Sequence, residues 1–72
     1  MKYYITIVDN RSGTQLYVDK KGKVTPKSQL LARLETKQAD SIVKSIKAAK
    51  WFIDNGGELF FSVKKVPYVA HL

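Results

Sequence analysis

A single stretch of this chain carries the period of a half-buried helix. After Thr36, the residues Ala39, Ile42, Val43, Ile46, Ala49 and Ile53 recur at steps of three and four, which lines them up along one stripe. One apolar stripe covers one face of one sheet. The rest of the chain is therefore expected to supply a small sheet for that helix to lie on. At 72 residues the chain is long enough for one domain, residues 1–72, and too short for two. A core of this size is thin, worth about 3–5 kcal/mol net.

The sheet is legible at the start. In Lys2–Val8, Tyr3, Ile5 and Ile7 alternate with Tyr4, Thr6 and Val8, the period of a strand. Both sets are bulky, as expected of a central strand or one partly covered on its second side. Asp9-Asn10-Arg11-Ser12-Gly13 reads as a turn, with Asp and Asn capping it and Gly13 supplying a positive φ. A strand over Gln15–Asp19 then closes an antiparallel hairpin. A second turn pivots on Gly22, and Val24-Thr25 adds a short extended piece. Thr25-Pro26 has the form of a helix start, so Lys27–Leu31 is either one helical turn or an ordered loop leading into Ala32–Glu35.

Thr36 is expected to cap a helix beginning at Lys37, with Asp40 and Lys44 as an i,i+4 pair. The helix end has two readings. Either it runs to about Asp54, stopped by Asn55-Gly56-Gly57, or it ends near Ala49 and Lys50–Asp54 forms a strand. Ile53 continues the stripe and favours the first. Leu59–Val63 is the last strand, with Leu59, Phe61 and Val63 on one face, and Pro67 ends it or marks an edge. Tyr68–Leu72 is an apolar tail that folds back, pairs as an edge or meets a second copy. The expected fold is thus α+β. It has a small antiparallel or mixed sheet of three to four strands and one main helix on one face, in the order β-β-(β)-α-β.

The chemistry available is narrow. Cysteine is absent and the single histidine, His71, is one residue from the end, so neither a thiol nucleophile nor a zinc set can be assembled. The five serines lack a His–Asp partner set. Four of the six acids (Asp9, Asp19, Asp54, Glu58) fall in or beside turns, which explains them as caps. No acid-rich calcium loop and no phosphate-cradling glycine motif occurs. The expectation is a non-enzymatic chain without catalytic residues, metal or cofactor. No run approaches about 18 apolar residues, the first strand is no leader peptide, and the lack of cysteine fits a reducing compartment. A cytoplasmic protein with no membrane partner follows as the expectation.

Charge is the informative remainder. The net charge is +7, and all of it lies in the middle. Residues 20–50 hold nine basic residues against Glu35 and Asp40, while the rest of the chain holds four of each sign. Such a segment is either a solvated lysine face or a surface for a polyanion. Lysine outnumbers arginine eleven to two, which suits non-specific phosphate contacts better than base reading. The candidate nucleic-acid-binding residues are Lys20, Lys21, Lys23 and Lys27 in the turn and connection, and Lys44 and Lys47 on the helix.

The candidate residues for a protein partner are Trp51, which falls on the lysine side of the helix, with Lys50 and Tyr68. Tyr3, Tyr4, Tyr17 and Phe60 read as sheet residues. Two or three of these aromatics would show on whichever sheet face the helix leaves open, and a contiguous patch there would be a partner site.

The stretch Ser28–Ala39 (SQLLARLETKQA) resembles a recurrent pattern in small proteins of phage and prophage genomes. In that pattern a hairpin precedes a small residue, an apolar residue, a threonine cap and an alanine-bearing helix. Ala32, Leu34, Thr36 and Ala39 are the matching positions, and Leu34 stands where the pattern has an aromatic. The resemblance implies a small accessory protein acting on a macromolecule, with no functional residues to carry over. Two expectations follow. The first is non-specific binding of nucleic acid backbone through the lysine-rich turn and helix face. The second is a protein-interaction module, either an inhibitor or modulator of an acidic host protein or a homodimer, using Trp51 and the tail.

Overall fold

The fold is described from a computed structural model, for residues 1–68. The elements are β1 (Lys2–Asp9), β2 (Gln15–Val18), β3 (Val24–Thr25), β4 (Leu34–Glu35), α1 (Thr36–Ala48), α2 (Lys50–Asp54) and β5 (Phe61–Pro67), with single 3-10 turns at Ser28–Leu30 and Gly57–Leu59. This is an α+β architecture: a five-stranded antiparallel sheet with one main helix. The strand beyond the expected three to four is β4, two residues long.

β1 is the central strand, hydrogen-bonded on both edges. β5 runs along one edge, from Tyr3↔Pro67 to Asp9↔Phe61. β2 and β4 share the other edge end to end. β2 faces Thr6–Val8 and β4 faces Lys2–Tyr3. The chain leaves that edge after Val18, forms β3 and the first 3-10 turn, and returns at Ala32, whose N–H donates to the Val18 carbonyl at 3.0 Å. The register puts Tyr3, Ile5, Ile7, Leu16, Val18, Leu34, Phe61 and Val63 on one face, where they pack with Ala39, Ile42, Val43, Ile46 and Phe52 of the helices. The period-2 pattern of β1 thus divides core from surface.

The two turns form as their residues dictate. The Asp9 carboxylate accepts the Arg11 N–H at 3.0 Å, and that of Asp19 accepts the N–H groups of Lys21 and Lys23 at 2.9 and 3.0 Å. Gly22 faces Ile42, so the second turn leans on α1.

Several expectations need correction. The helical region does reach Asp54, so the strand reading of Lys50–Asp54 fails. It is not one helix, however: Ala49 is extended, with φ −64° and ψ 138°, and separates α1 from α2. That break resets the helical phase. Ile53, expected in the buried stripe, is 60% exposed, and Phe52 takes the core place at 2%. Thr36 is the first helical residue rather than the cap. Glu35 holds the cap position, and no side chain bonds the first turn. Asp40 does not pair with Lys44; Lys65 of β5 engages it instead. The last strand begins at Phe61 rather than Leu59. Leu59 sits in the second 3-10 turn, 80% exposed, because left-handed Gly56 and Gly57 start a turn rather than a strand. The expectations for His71 and the tail beyond Tyr68 lie outside the described residues.

Candidate nucleic-acid interface

The six acidic side chains set the electrostatics, because each is engaged locally. Asp9 and Asp19 cap their turns. Glu35 pairs with Lys2 at 3.5 Å, Asp40 with Lys65 at 2.7 Å, Asp54 with Lys50 at 2.6 Å and Glu58 with Lys47 at 2.9 Å. Among the described residues, Lys20, Lys21, Lys23, Lys27, Arg33, Lys37, Lys44 and Lys64 have no acid within ion-pair reach. The basic middle of the sequence therefore remains positive in the folded chain, and most of its unpaired charge lies between Lys20 and Arg33.

The lysines named from the sequence do not form one surface. Lys20 and Lys21 border an open cleft of about 450 Å³ with Asp19, Gln29, Leu30 and Leu31, at the β2–β3 side of the sheet. Lys44 and Lys47 line a different cleft, with Asp40, Val43 and Lys65, between α1 and β5 at the opposite side. The helix stands between the two groups. Lys27 begins the connection after β3, its N–H bonded to Thr25 Oγ1 at 3.2 Å.

The cleft between α1 and β5 is structural in character. Lys65 reaches across it to Asp40, and its Nζ lies 4.6 Å from the centre of the Tyr3 ring. The hydrogen bond that Lys65 donates to Asp40 holds the Lys65 pKa above its ordinary 10.5 against a partial loss of hydration.

The residues proposed for a protein partner are also divided. Trp51 and Lys50 lie on α2, where the Trp51 ring meets Phe52 and Phe61 edge to face at 6.0 and 5.6 Å while remaining 42% exposed. Tyr68 follows the far end of β5, its N–H bonded to the Lys2 carbonyl at 2.9 Å.

Tyr68 belongs instead to the second face of the sheet, which no described helix covers. Strand alternation and register place Tyr4, Thr6 and Val8 of β1, Gln15 and Tyr17 of β2, Arg33, and Ser62, Lys64 and Val66 of β5 on this face. Tyr4, Tyr17 and Tyr68 line one cleft of about 510 Å³, with Gln15, Ser28, Leu31, Val66 and Pro67. The Tyr4 and Tyr68 rings meet edge to face at 5.9 Å. The Arg33 guanidinium lies 4.2 Å from the centre of the Tyr68 ring and donates to the Tyr68 hydroxyl at 3.3 Å, a cation–π arrangement. Leu31 borders both this cleft and the one holding Lys20 and Lys21. The aromatic face therefore continues into the basic turn.

Reasoning from the sequence named Tyr68, for a different surface. It counted Arg33 only within the basic middle segment, missed Lys64, and read Tyr4 and Tyr17 as sheet residues that would make a partner site if the open face gathered them, as it does. The alternation of β1 and β2 carried the signal for Tyr4 and Tyr17. Nothing in the sequence signals the Arg33–Tyr68 contact, which joins residues 35 positions apart.

No family model matches the chain, and no curated protein or solved structure shows a significant similarity to it. No helix among the described residues is long and apolar enough to cross a membrane.

Proposed function

We propose that this chain is a small non-enzymatic accessory module that binds nucleic acid through its phosphate backbone, with Lys20, Lys21, Lys23 and Lys27 as the principal contacts. One observation carries the reading. Asp19 is spent on backbone N–H groups of the lysine turn and the other acids are engaged elsewhere, while the side chains from Lys20 to Arg33 keep their positive charge unpaired beside an open face. A polyanion gains from such a surface by releasing its condensed counterions. Lysines without a bidentate arginine fork favour contact without sequence reading. Of the helix pair, Lys47 is neutralised by Glu58, which leaves the turn as the stronger anchor.

The test is the fluorescence anisotropy of labelled oligonucleotides over a salt series from about 50 to 300 mM. Micromolar binding with a steep negative dependence of log K on log salt supports the reading; no binding at the lowest salt ends it.

A second reading rests on the exposed apolar residues around α2. Trp51, Ile53 and Leu59 are 42, 60 and 80% exposed, and an exposed tryptophan is a common interface anchor. A protein complex built there would survive about 0.5 M salt, because screening barely touches apolar contacts.

A further inference from the structure

We infer that the open sheet face is a stacking platform, and that the nucleic acid this chain takes is single-stranded. The inference rests on the reading above and adds the class of ligand. Bases in a duplex present only their edges to a protein, whereas an unpaired strand can lay its flat faces on aromatic side chains. The face of β1, β2 and β5 opposite the helix offers three such side chains around one cleft, Tyr4, Tyr17 and Tyr68.

Their spacing suits a base. Thr6 pairs with Tyr17, so Tyr4, two residues from Thr6, is the diagonal neighbour of Tyr17. Diagonal positions in a sheet lie about 7–8 Å apart, and a flat ring seated between two others needs about 3.5–4 Å on each side. Tyr68 extends the row beyond Tyr4, with the Arg33 guanidinium lying over its ring.

Charge selects among occupants. Arg33 lies against Tyr68 and Lys64 stands opposite Thr6 on the same face, both without an ion-pair partner among the described residues, and the face joins the Lys20–Lys21 turn through Leu31. Glu35, the acid on this face, is paired with Lys2. A second copy of the chain placed symmetrically on this face would bring two patches of the same positive sign together. The exposed Gln15 amide interrupts the apolar surface, and a dry protein interface would have to satisfy it. A single strand meets both conditions: its bases cover the tyrosines, and its phosphates meet Arg33, Lys64 and the turn lysines.

The experiment compares three labelled probes by anisotropy at low salt: an oligothymidylate of about twelve nucleotides, a duplex of the same length, and an abasic strand of the same length. The expected order is oligothymidylate tightest, by about tenfold or more over the abasic strand. Tyr17→Ala and Tyr17→Leu should each weaken oligothymidylate binding by about five- to a hundredfold and leave abasic binding unchanged. Tyr17→Phe, which keeps the ring, should bind as the parent. The leucine variant preserves bulk on the strand, so a loss seen there with an unchanged melting temperature is not a folding effect.

Equal affinity for oligothymidylate and abasic strand, or unaltered binding by a folded Tyr17→Leu, overturns the platform and leaves the backbone reading standing. Failure of all three probes to bind overturns both. A dimer in sedimentation that Tyr17→Leu dissociates, with oligonucleotide binding unaffected, gives the face to a second copy and also overturns the inference.

Discussion

Lys65 of β5 places its ammonium 2.7 Å from the Asp40 carboxylate of α1, tying the helix to the edge strand over the Tyr3 ring. The Asp40 hydrogen bond, with the nearby Asp40 and Tyr3 charges, raises the Lys65 pKa above 10.5. A lysine whose folded pKa is raised contributes stability below its unfolded pKa and loses that contribution as pH climbs through the folded value. The melting temperature of the protein should therefore fall above about pH 10.5 more steeply than that of Asp40→Asn, in which the partner is gone. Thermal melts of the two chains from pH 8 upward decide this; parallel alkaline limbs would show that the pair does not couple α1 to β5.

The break at Ala49 predicts a reversal of the burial order read from periodicity. Phe52 fills the core beside Phe61, their ring centroids 5.5 Å apart, whereas Ile53 faces solvent. Phe52→Ala should cost about 3–5 kcal/mol, enough to unfold most of a domain this small at room temperature. Ile53→Ala should stay within about 0.5 kcal/mol. Denaturant titration measures both. A large loss at Ile53 would mean that the helix runs on unbroken in solution.

These two positions show where sequence reasoning stopped. The alternation of β1 placed Ile5 and Ile7 in the core and Tyr4 on the opposite face, because a strand's side chains have only two directions to take. Asn55-Gly56-Gly57 marked the end of the helical region for a local reason: Gly56 adopts φ +95° and the Asn55 side chain caps the Trp51 carbonyl at 2.6 Å. The break inside Ala48-Ala49-Lys50 has no local signal, since all three residues favour helices; it comes with the burial of Phe52. β4 was equally invisible. Two residues become a strand only because β2 leaves the edge of β1 unfilled beside Lys2 and Tyr3. The tyrosine cleft needed the same long-range pairing, which brings Tyr68 beside Tyr4.

Gly56 and Gly13 provide a controlled pair. Both have positive φ, which costs a residue with a Cβ about 1–2 kcal/mol. At Gly13 a Cβ meets nothing within 4 Å, but at Gly56 it would overlap the Phe60 ring. Gly13→Ala should lose only the backbone penalty, while Gly56→Ala should lose more, through displacement of Phe60 before β5. Chemical denaturation of the two variants tests the difference, and equal losses would refute the steric part.

Acid stability should depend on the first turn. The Arg11 N–H, with smaller help from Ser12, holds the Asp9 pKa below its ordinary 3.8 in spite of some desolvation. A carboxylate with a lowered folded pKa contributes stability above its unfolded pKa and loses it as pH falls through the folded one. Melting temperature should thus decline below about pH 3.8, and Asp9→Asn should flatten that decline. An unaltered acid limb in the variant would assign the decline to other carboxylates.

The partition of the lysines makes the last prediction. Lys20 and Lys21 border the cleft that adjoins the tyrosine face, while Lys44 and Lys47 lie beyond the helix, with Lys47 already paired to Glu58. Removing one lysine that meets a phosphate should lower the salt slope of nucleic acid binding by about one. Lys20→Gln combined with Lys21→Gln should therefore reduce the slope by about two and weaken binding to every sequence alike. Lys44→Gln and Lys47→Gln should leave the slope nearly unchanged, and breaking the exposed Lys47–Glu58 pair should cost at most about 1 kcal/mol of stability. Salt-dependent anisotropy of the three variants separates the two flanks. A slope that falls equally for the helix lysines would mean that the strand crosses α1 and does not follow the sheet.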